Sequence, residues 1–427
     1  MNKIILNHTK EEIYTETLDN GLKVFLIPFS NKNSYYINYY VNYGAEDLEF
    51  VPVEKSEMTT SPSGIAHFIE HQVFETGDEP SPFEFFGKSG ASCNAATDYE
   101  STKYEVEGTK NLKENLDYLI RYVNTPCFTE ESVEKEKGII VEEIRMYDDY
   151  PEWILINAMN KLTFNTYPMK YDIAGTKTSV SNTKLDDLYK CFNTFYVPNN
   201  MALVVGGCFD PKEIMDLIKN NEVLKKRKRN DFIKRKEYVE LERVVKEKEE
   251  IEASQLMIPR IGYIVKSRAN YTNSKDKFKM EASLFILLQK AFGNISDFYE
   301  TMLKEEKLLN ISFYNFVVDN YNIINIICET ERPKELVKEI DKRLKEVEVN
   351  KEDLERYKKV FIASKIRLSD NVVGTVSDIV NDLVDYSTII DDKIDIVKSI
   401  TLKDIKDIKK SLNLKNKAVV TVLPKNT

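Results

Sequence analysis

The chain repeats itself. Leu185-Asp186-Asp187-Leu188 runs into Asn200-Met201-Ala202-Leu203-Val204-Val205, and Leu402-Lys403-Asp404-Ile405 runs into Asn416-Lys417-Ala418-Val419-Val420-Thr421. The two asparagines are 216 positions apart, about half of the 427 residues. Val133-Glu134-Lys135 with Ile144-Arg145 is echoed by Leu354-Glu355-Arg356 with Ile366-Arg367, the Ile-Arg pairs lying 222 positions apart. A helix-rich, strand-ended unit of roughly 200 residues, used twice, predicts an α+β fold of two tandem homologous domains. Each is expected to be a mostly antiparallel sheet packed with helices. Length asks for the same division, since single cores stop growing at about 250–300 residues. The expected boundaries are 1–224 for the first domain, 225–252 for a charged linker and 253–427 for the second.

Local patterns fill in the first copy. Asn20-Gly21 before the apolar run Leu22 to Leu26 signals a hairpin. Ser34 to Tyr43, rich in Tyr, Ile and Val, predicts a central strand. Cys93 to Val106 reads as strand, turn and strand, and Leu112 to Val123 as an amphipathic helix. Thr129 or Glu130 opens a long helical pattern running past Tyr150, and Met201 to Val205 is a strand followed by a helix over Pro211 to Ile218. Lys225 to Glu250 is nearly all charge, basic first and acidic last, and reads as a solvated linker with some helix or strand.

Composition excludes some functions. A net charge of -9, from 61 Lys+Arg against 70 Asp+Glu, argues against a nucleic-acid partner and mildly favours a cationic substrate. No stretch approaches 18 apolar residues, so no transmembrane helix is expected. The N-terminus lacks the long apolar core of a signal peptide. The five cysteines are widely spaced, odd in number and form no Cys-x-x-Cys. They predict reduced, mostly buried thiols in a cytoplasmic protein.

Chemistry concentrates in Gly64-Ile65-Ala66-His67-Phe68-Ile69-Glu70-His71, which holds two of the three histidines. On a helix, positions i and i+4 share a face, so His67 and His71 can point at one metal ion. Glu70 projects to the same side, where a carboxylate can take a proton from a water activated by that metal. A catalytic zinc normally has three protein ligands. His8 is the only other histidine and lies in an N-terminal segment expected to be mobile, so the third ligand should be Asp, Glu or Cys. The best candidates are on the helix Glu130 to Arg145. Glu136 and Glu143 are two turns apart on one face, beside Ile139, Ile140 and Ile144, while Glu142 points elsewhere. The second copy has no histidine, and Lys358 and Lys365 stand where Glu136 and Glu143 do.

The spacing His-x-x-Glu-His, followed by Glu136-x6-Glu143 with 72 positions from His71 to Glu143, resembles the pitrilysin/insulysin family of zinc metallopeptidases, the inverzincins. That family includes the mitochondrial processing peptidases, and the chain is most similar to its bacterial single-module members. The resemblance covers the whole chain, including Gly90 to Tyr104 and the duplicated half. It implies half of the pitrilysin clamshell, one zinc ion per chain held by His67, His71 and Glu143, Glu70 as general base, and Glu136 as an acid that orients the site. Asn94 and Ala95 would lie on an edge strand that pairs with an extended peptide substrate.

One departure matters. Full family enzymes use an Arg and a Tyr, seven apart, from a C-terminal half. Lys304 and Ile311 stand in the matching stretch here. Lysine lacks the planar fork of arginine, and isoleucine cannot hydrogen-bond an oxyanion. The resemblance therefore implies a heterodimer with a paralogous partner that carries the Arg/Tyr pair, a homodimer fitting less well. The expected activity is hydrolysis of short or unfolded peptides, leader-peptide processing among the options. The alternative is a non-proteolytic scaffold or assembly subunit of the same fold.

Overall fold

The computed structural model describes residues 1–53 and 55–425. In chain order its strands are β1 (Asn2–Ile5), β2 (Glu12–Thr17), β3 (Lys23–Pro28), β4 (Tyr35–Val41), β5 (Glu49–Val51), β6 (Thr59–Thr60), β7 (Ser92–Thr97), β8 (Thr102–Gly108), β9 (Met201–Gly207), β10 (Lys234–Arg235), β11 (Lys248–Ala253), β12 (Arg260–Arg268), β13 (Asn310–Val318), β14 (Tyr321–Glu329) and β15 (Lys417–Pro424). They form a seven-stranded sheet ordered β1-β2-β3-β9-β4-β8-β7, a five-stranded sheet ordered β11-β15-β12-β14-β13, and a small sheet β10-β5-β6.

The duplication is visible strand by strand. The run β3-β9-β4-β8-β7 matches β11-β15-β12-β14-β13, and in each the first pair is parallel and the rest antiparallel. The repeated asparagines do the same work in both copies. Asn200 Nδ2 donates to the carbonyl of Asn42 at 2.9 Å while the Asn42 N–H donates to the carbonyl of Asn200. Asn416 Nδ2 donates to the carbonyl of Lys266 at 2.9 Å while the Lys266 N–H donates to the carbonyl of Asn416. A side-chain amide closes the same strand junction twice. The expectation of two α+β domains built alike holds.

Two compact units result, and neither is continuous in sequence. The first contains residues 1–144, 172–237 and 365–391, the second 145–171, 238–364 and 392–427. The reason is that each sheet is apolar on both faces. In β4, Tyr35, Ile37, Tyr39 and Val41 pack toward one core, and Tyr36 and Tyr40 toward another. The second face of that sheet is covered by the helix Val372–Tyr386 from the far end of the chain, with Val372 and Val376 against Gly206. In the second unit the helix Pro151–Thr163 plays that part, and a Cβ at Gly262 would lie 2.3 Å from Met159 Sδ. The halves thus exchange one helix each, which linear boundaries do not express.

Several local expectations need correction. The N-terminal segment is not a tail: β1 pairs with β2. The charged stretch is not wholly solvated. Glu240 and Lys266 have fully buried side chains 2.8 Å apart, and Glu240 also accepts from the N–H groups of Asn165, Thr166 and Tyr167. The long helix ends at Asp148, and Pro151 starts a new one. Of the five free cysteines only Cys191 and Cys328 are buried, whereas Cys93 is half-buried and Cys127 and Cys208 are exposed. Among the described residues, no helix is long and apolar enough to cross a membrane.

Candidate metal centre

The motif helix, Ile65–Val73, follows Gly64 at φ +89°, a conformation that L-residues rarely adopt. A Cβ there would lie 2.3 Å from the Ala174 carbonyl oxygen. Glycine therefore sets the helix start, with no side chain capping it; the nearby Ser61 Oγ donates to the Leu48 carbonyl. Ile65, Phe68, Ile69 and Val73 are buried in the core, so the helix cannot rotate without exposing them, and the opposite side presents His67, Glu70 and His71. Facing it is the acidic helix Glu130–Asp148, where Val133, Glu136 and Ile140 are buried, Ile139 is exposed and Glu143 is half-buried.

The two helices bring four side chains together. His67 Nε2 lies 3.8 Å and His71 Nε2 3.6 Å from Glu143 Oε2, and the imidazole centroids are 4.6 Å apart. One ligand atom from each of His67, His71 and Glu143 can be chosen so that all lie within 4.8 Å of one another. These separations are long for hydrogen bonds. They are close to the roughly 3.3 Å expected between ligands about 2.0–2.2 Å from a shared tetrahedral centre. His71 Nδ1 is 2.8 Å from Glu136 Oε1, which leaves Nε2 for a metal. The donor set, two imidazoles and one carboxylate, suits zinc.

The electrostatics agree. Burial, with the neighbouring His71 charge, holds His67 down at about 3, so it is a neutral imidazole at physiological pH. Burial also pulls His71 down, but the hydrogen bond and charge of Glu136, with Glu70 and Glu143, outweigh it and hold this ring above its ordinary value. Burial raises Glu143, partly countered by His71. Burial raises Glu70 too, against the hydrogen bond from Thr97 and the charge of His71. Three carboxylates gathered beside two imidazoles make an environment that a dication relieves.

β7 borders the same site and is the edge of its sheet. The Asp98 N–H donates to the Ser101 carbonyl at 2.7 Å, which makes these two the hydrogen-bonded pair at the hairpin end. By the alternation of an antiparallel ladder, the main chains of Thr97 and Ala95 then face away from β8, toward the free edge. Asn94 and Ala95 line a cleft of about 460 Å³ with Glu70, His71, Phe74 and Phe83. Phe74 and Phe83 stack at 5.0 Å, and Phe83 is 62% exposed. Sequence reading passed over Thr97, Phe74 and Phe83. Phe74 is one helical turn after Glu70, a signal that was available; the pairing with Phe83 was not.

Lys304 ends the helix Asp297–Lys304, exposed and paired with Glu300 at 2.5 Å, and Ile311 is buried in β13. Neither offers a guanidinium or a phenol.

Comparison with known proteins gives one consistent picture. Residues 57–177 match the description of insulinase (peptidase family M16), and residues 182–361 that of the peptidase M16 inactive domain. The chain is 34% identical over 426 residues to the uncharacterized zinc protease YmfH of Bacillus subtilis, covering 98% of each. It is 25% identical over 163 residues to the mitochondrial-processing peptidase subunit beta of Lentinula edodes, covering 37% of this chain and 35% of that one. Among solved structures, an M16-like peptidase from Alicyclobacillus acidocaldarius superimposes with a TM-score of 0.90 at 28% identity, over 97% of this chain and 99% of that one.

Proposed function

The chain belongs to peptidase family M16, the insulinase family, and on that premise we propose that it is the metal-holding subunit of a zinc-dependent endopeptidase. The observation that carries the reading is the convergence of His67, His71 and Glu143, with Glu136 occupying the other nitrogen of His71. His67, His71 and Glu143 would hold one zinc ion, which would supply Lewis acidity toward a water and a peptide carbonyl. The chain's own residues do the rest. Glu70 takes a proton from the attacking water and returns it to the leaving amine. Glu136 keeps the His71 ring in one orientation and tautomer. The free edge of β7 at Asn94 and Ala95 accepts an extended peptide as an added strand, so main-chain hydrogen bonds bind it with broad sequence tolerance. Short or unfolded peptides fit this mode, including leader segments, because only an extended chain can add to an edge.

Lys304 and Ile311 support a heterodimer in which a paralogous subunit supplies the Arg/Tyr pair, and a processing-peptidase subunit is among the relatives. A cytoplasmic location fits the free cysteines. The test is Glu70→Gln. It should keep zinc and lose cleavage of a quenched peptide; cleavage at the parental rate would remove Glu70 from the mechanism. A purified chain with less than about one tenth of a zinc per chain would favour the scaffold reading, since a scaffold needs no ligands.

A further inference from the structure

Glu70 is held from behind. Thr97 Oγ1, on the last residue of β7, lies 2.5 Å from Glu70 Oε2. That hydroxyl has one proton and two neighbours that could accept it, Glu70 and Thr102 Oγ1 at 3.5 Å. Thr102 donates its own proton to the Tyr43 carbonyl at 2.9 Å, inside the core, so it is oriented away from Thr97. The nearer acceptor is also the charged one, and charge-assisted hydrogen bonds are the short, strong kind. The Thr97 N–H, directed to the free edge, faces the same carboxylate. Among the described residues, no other side chain is hydrogen-bonded to Glu70.

We infer that Thr97 is a positioning residue for the general base: it anchors Glu70 Oε2 and leaves Oε1 as the oxygen that takes and returns the proton. This rests on the peptidase reading of the site. One strand then serves two ends. Ala95 offers its main chain to the peptide, and two residues on, Thr97 sets the rotamer of the carboxylate that must meet that peptide's scissile bond. Substrate register and base geometry are fixed to each other by the rigid backbone between Ala95 and Thr97, and a misplacement of about 1 Å at such a centre can cost about 100-fold.

The experiment compares the parent, Thr97→Val, Thr97→Ser and Glu70→Gln, each isolated from its native host with whatever subunit accompanies it. Zinc per chain, melting temperature, and kcat and KM on a quenched peptide are measured. Binding of the same peptide, fluorescently labelled, is measured for Glu70→Gln with and without Thr97→Val. The expected result is zinc equal to the parent and kcat lower by about 10- to 100-fold in Thr97→Val. KM should stay within about twofold, Thr97→Ser should recover most of the rate, and the two Glu70→Gln proteins should bind peptide equally. Parental kcat in Thr97→Val overturns the inference while leaving the peptidase reading intact. So does a loss expressed in KM or in zinc, or one that Thr97→Ser does not repair. A zinc-loaded parent that cleaves no peptide overturns the peptidase reading, and this inference with it.

Discussion

His71 Nδ1 and Glu136 Oε1 are 2.8 Å apart, joining the motif helix to the acidic helix across 65 positions of sequence. The pair decides which nitrogen of His71 faces His67 and Glu143, and it keeps that ring from turning. Glu136→Ala should therefore leave the three ligands present but less ordered. Zinc affinity is expected to fall about 10- to 100-fold, read by competition with a chelator. Unchanged affinity would mean that packing alone orients His71.

Glu70→Gln preserves shape and removes the proposed base. Zinc content should be unchanged, and kcat should fall by about 100- to 10,000-fold, the usual contribution of a general base. Metal analysis and a quenched-peptide assay on the same preparation separate the two effects.

Gly64→Ala adds one methyl at φ +89°, 2.3 Å from a backbone carbonyl oxygen. Backbone cannot yield as a flexible side chain would, so the start of the motif helix must shift. A loss of about 2 kcal/mol or more is expected, with weaker zinc binding, measured by denaturant unfolding and chelator competition. Gly138→Ala is the control, since a Cβ there meets nothing within 4 Å and alanine favours a helix.

The buried Glu240–Lys266 pair sets an acid limit on the second unit. Burial would raise the Glu240 carboxyl, but the N–H groups of Asn165, Tyr167 and Thr166 and the Lys266 ammonium outweigh it and hold it at about 2. A carboxyl depressed in the folded state contributes stability that is full above its unfolded pKa, roughly 4.3, and is lost as pH falls toward 2. Glu240→Gln should cost about 3–5 kcal/mol at pH 7, because it leaves Lys266 buried without its counter-charge. The gap between variant and parent should shrink between pH 4 and pH 2, measured by urea unfolding. A constant gap across that range would assign the stability to hydrogen bonds alone.

Much of the site was legible because helices convert spacing into direction. His67, Glu70 and His71 had to share a face, as did Glu136 and Glu143, whatever the rest of the chain did. The strands were legible where both faces are buried, as in Ser34 to Tyr43, since a continuous apolar run has few other uses. Thr97 was not legible. A threonine near a strand end is common, and only the approach of the motif helix gives it a carboxylate to bind. Glu240 looked like one charge among many, and only the folded loop of Asn165 to Tyr167 makes it a buried anchor.

By itself, the amino-acid order determined that the chain is a duplicated α+β protein with a His-x-x-Glu-His motif in one copy only. Periodicity, the repeated Asn-plus-strand segment and the histidine count carry that information locally. Tertiary structure alone decided that Pro151–Thr163 and Val372–Tyr386 each cover the sheet of the other half, and that Gly64 starts the motif helix. It also decided that β7 lies on a free edge, with its last hydroxyl on Glu70. Those outcomes depend on which apolar faces meet, and on close approaches between segments far apart in the chain, such as Gly64 and Ala174, and no local pattern encodes them.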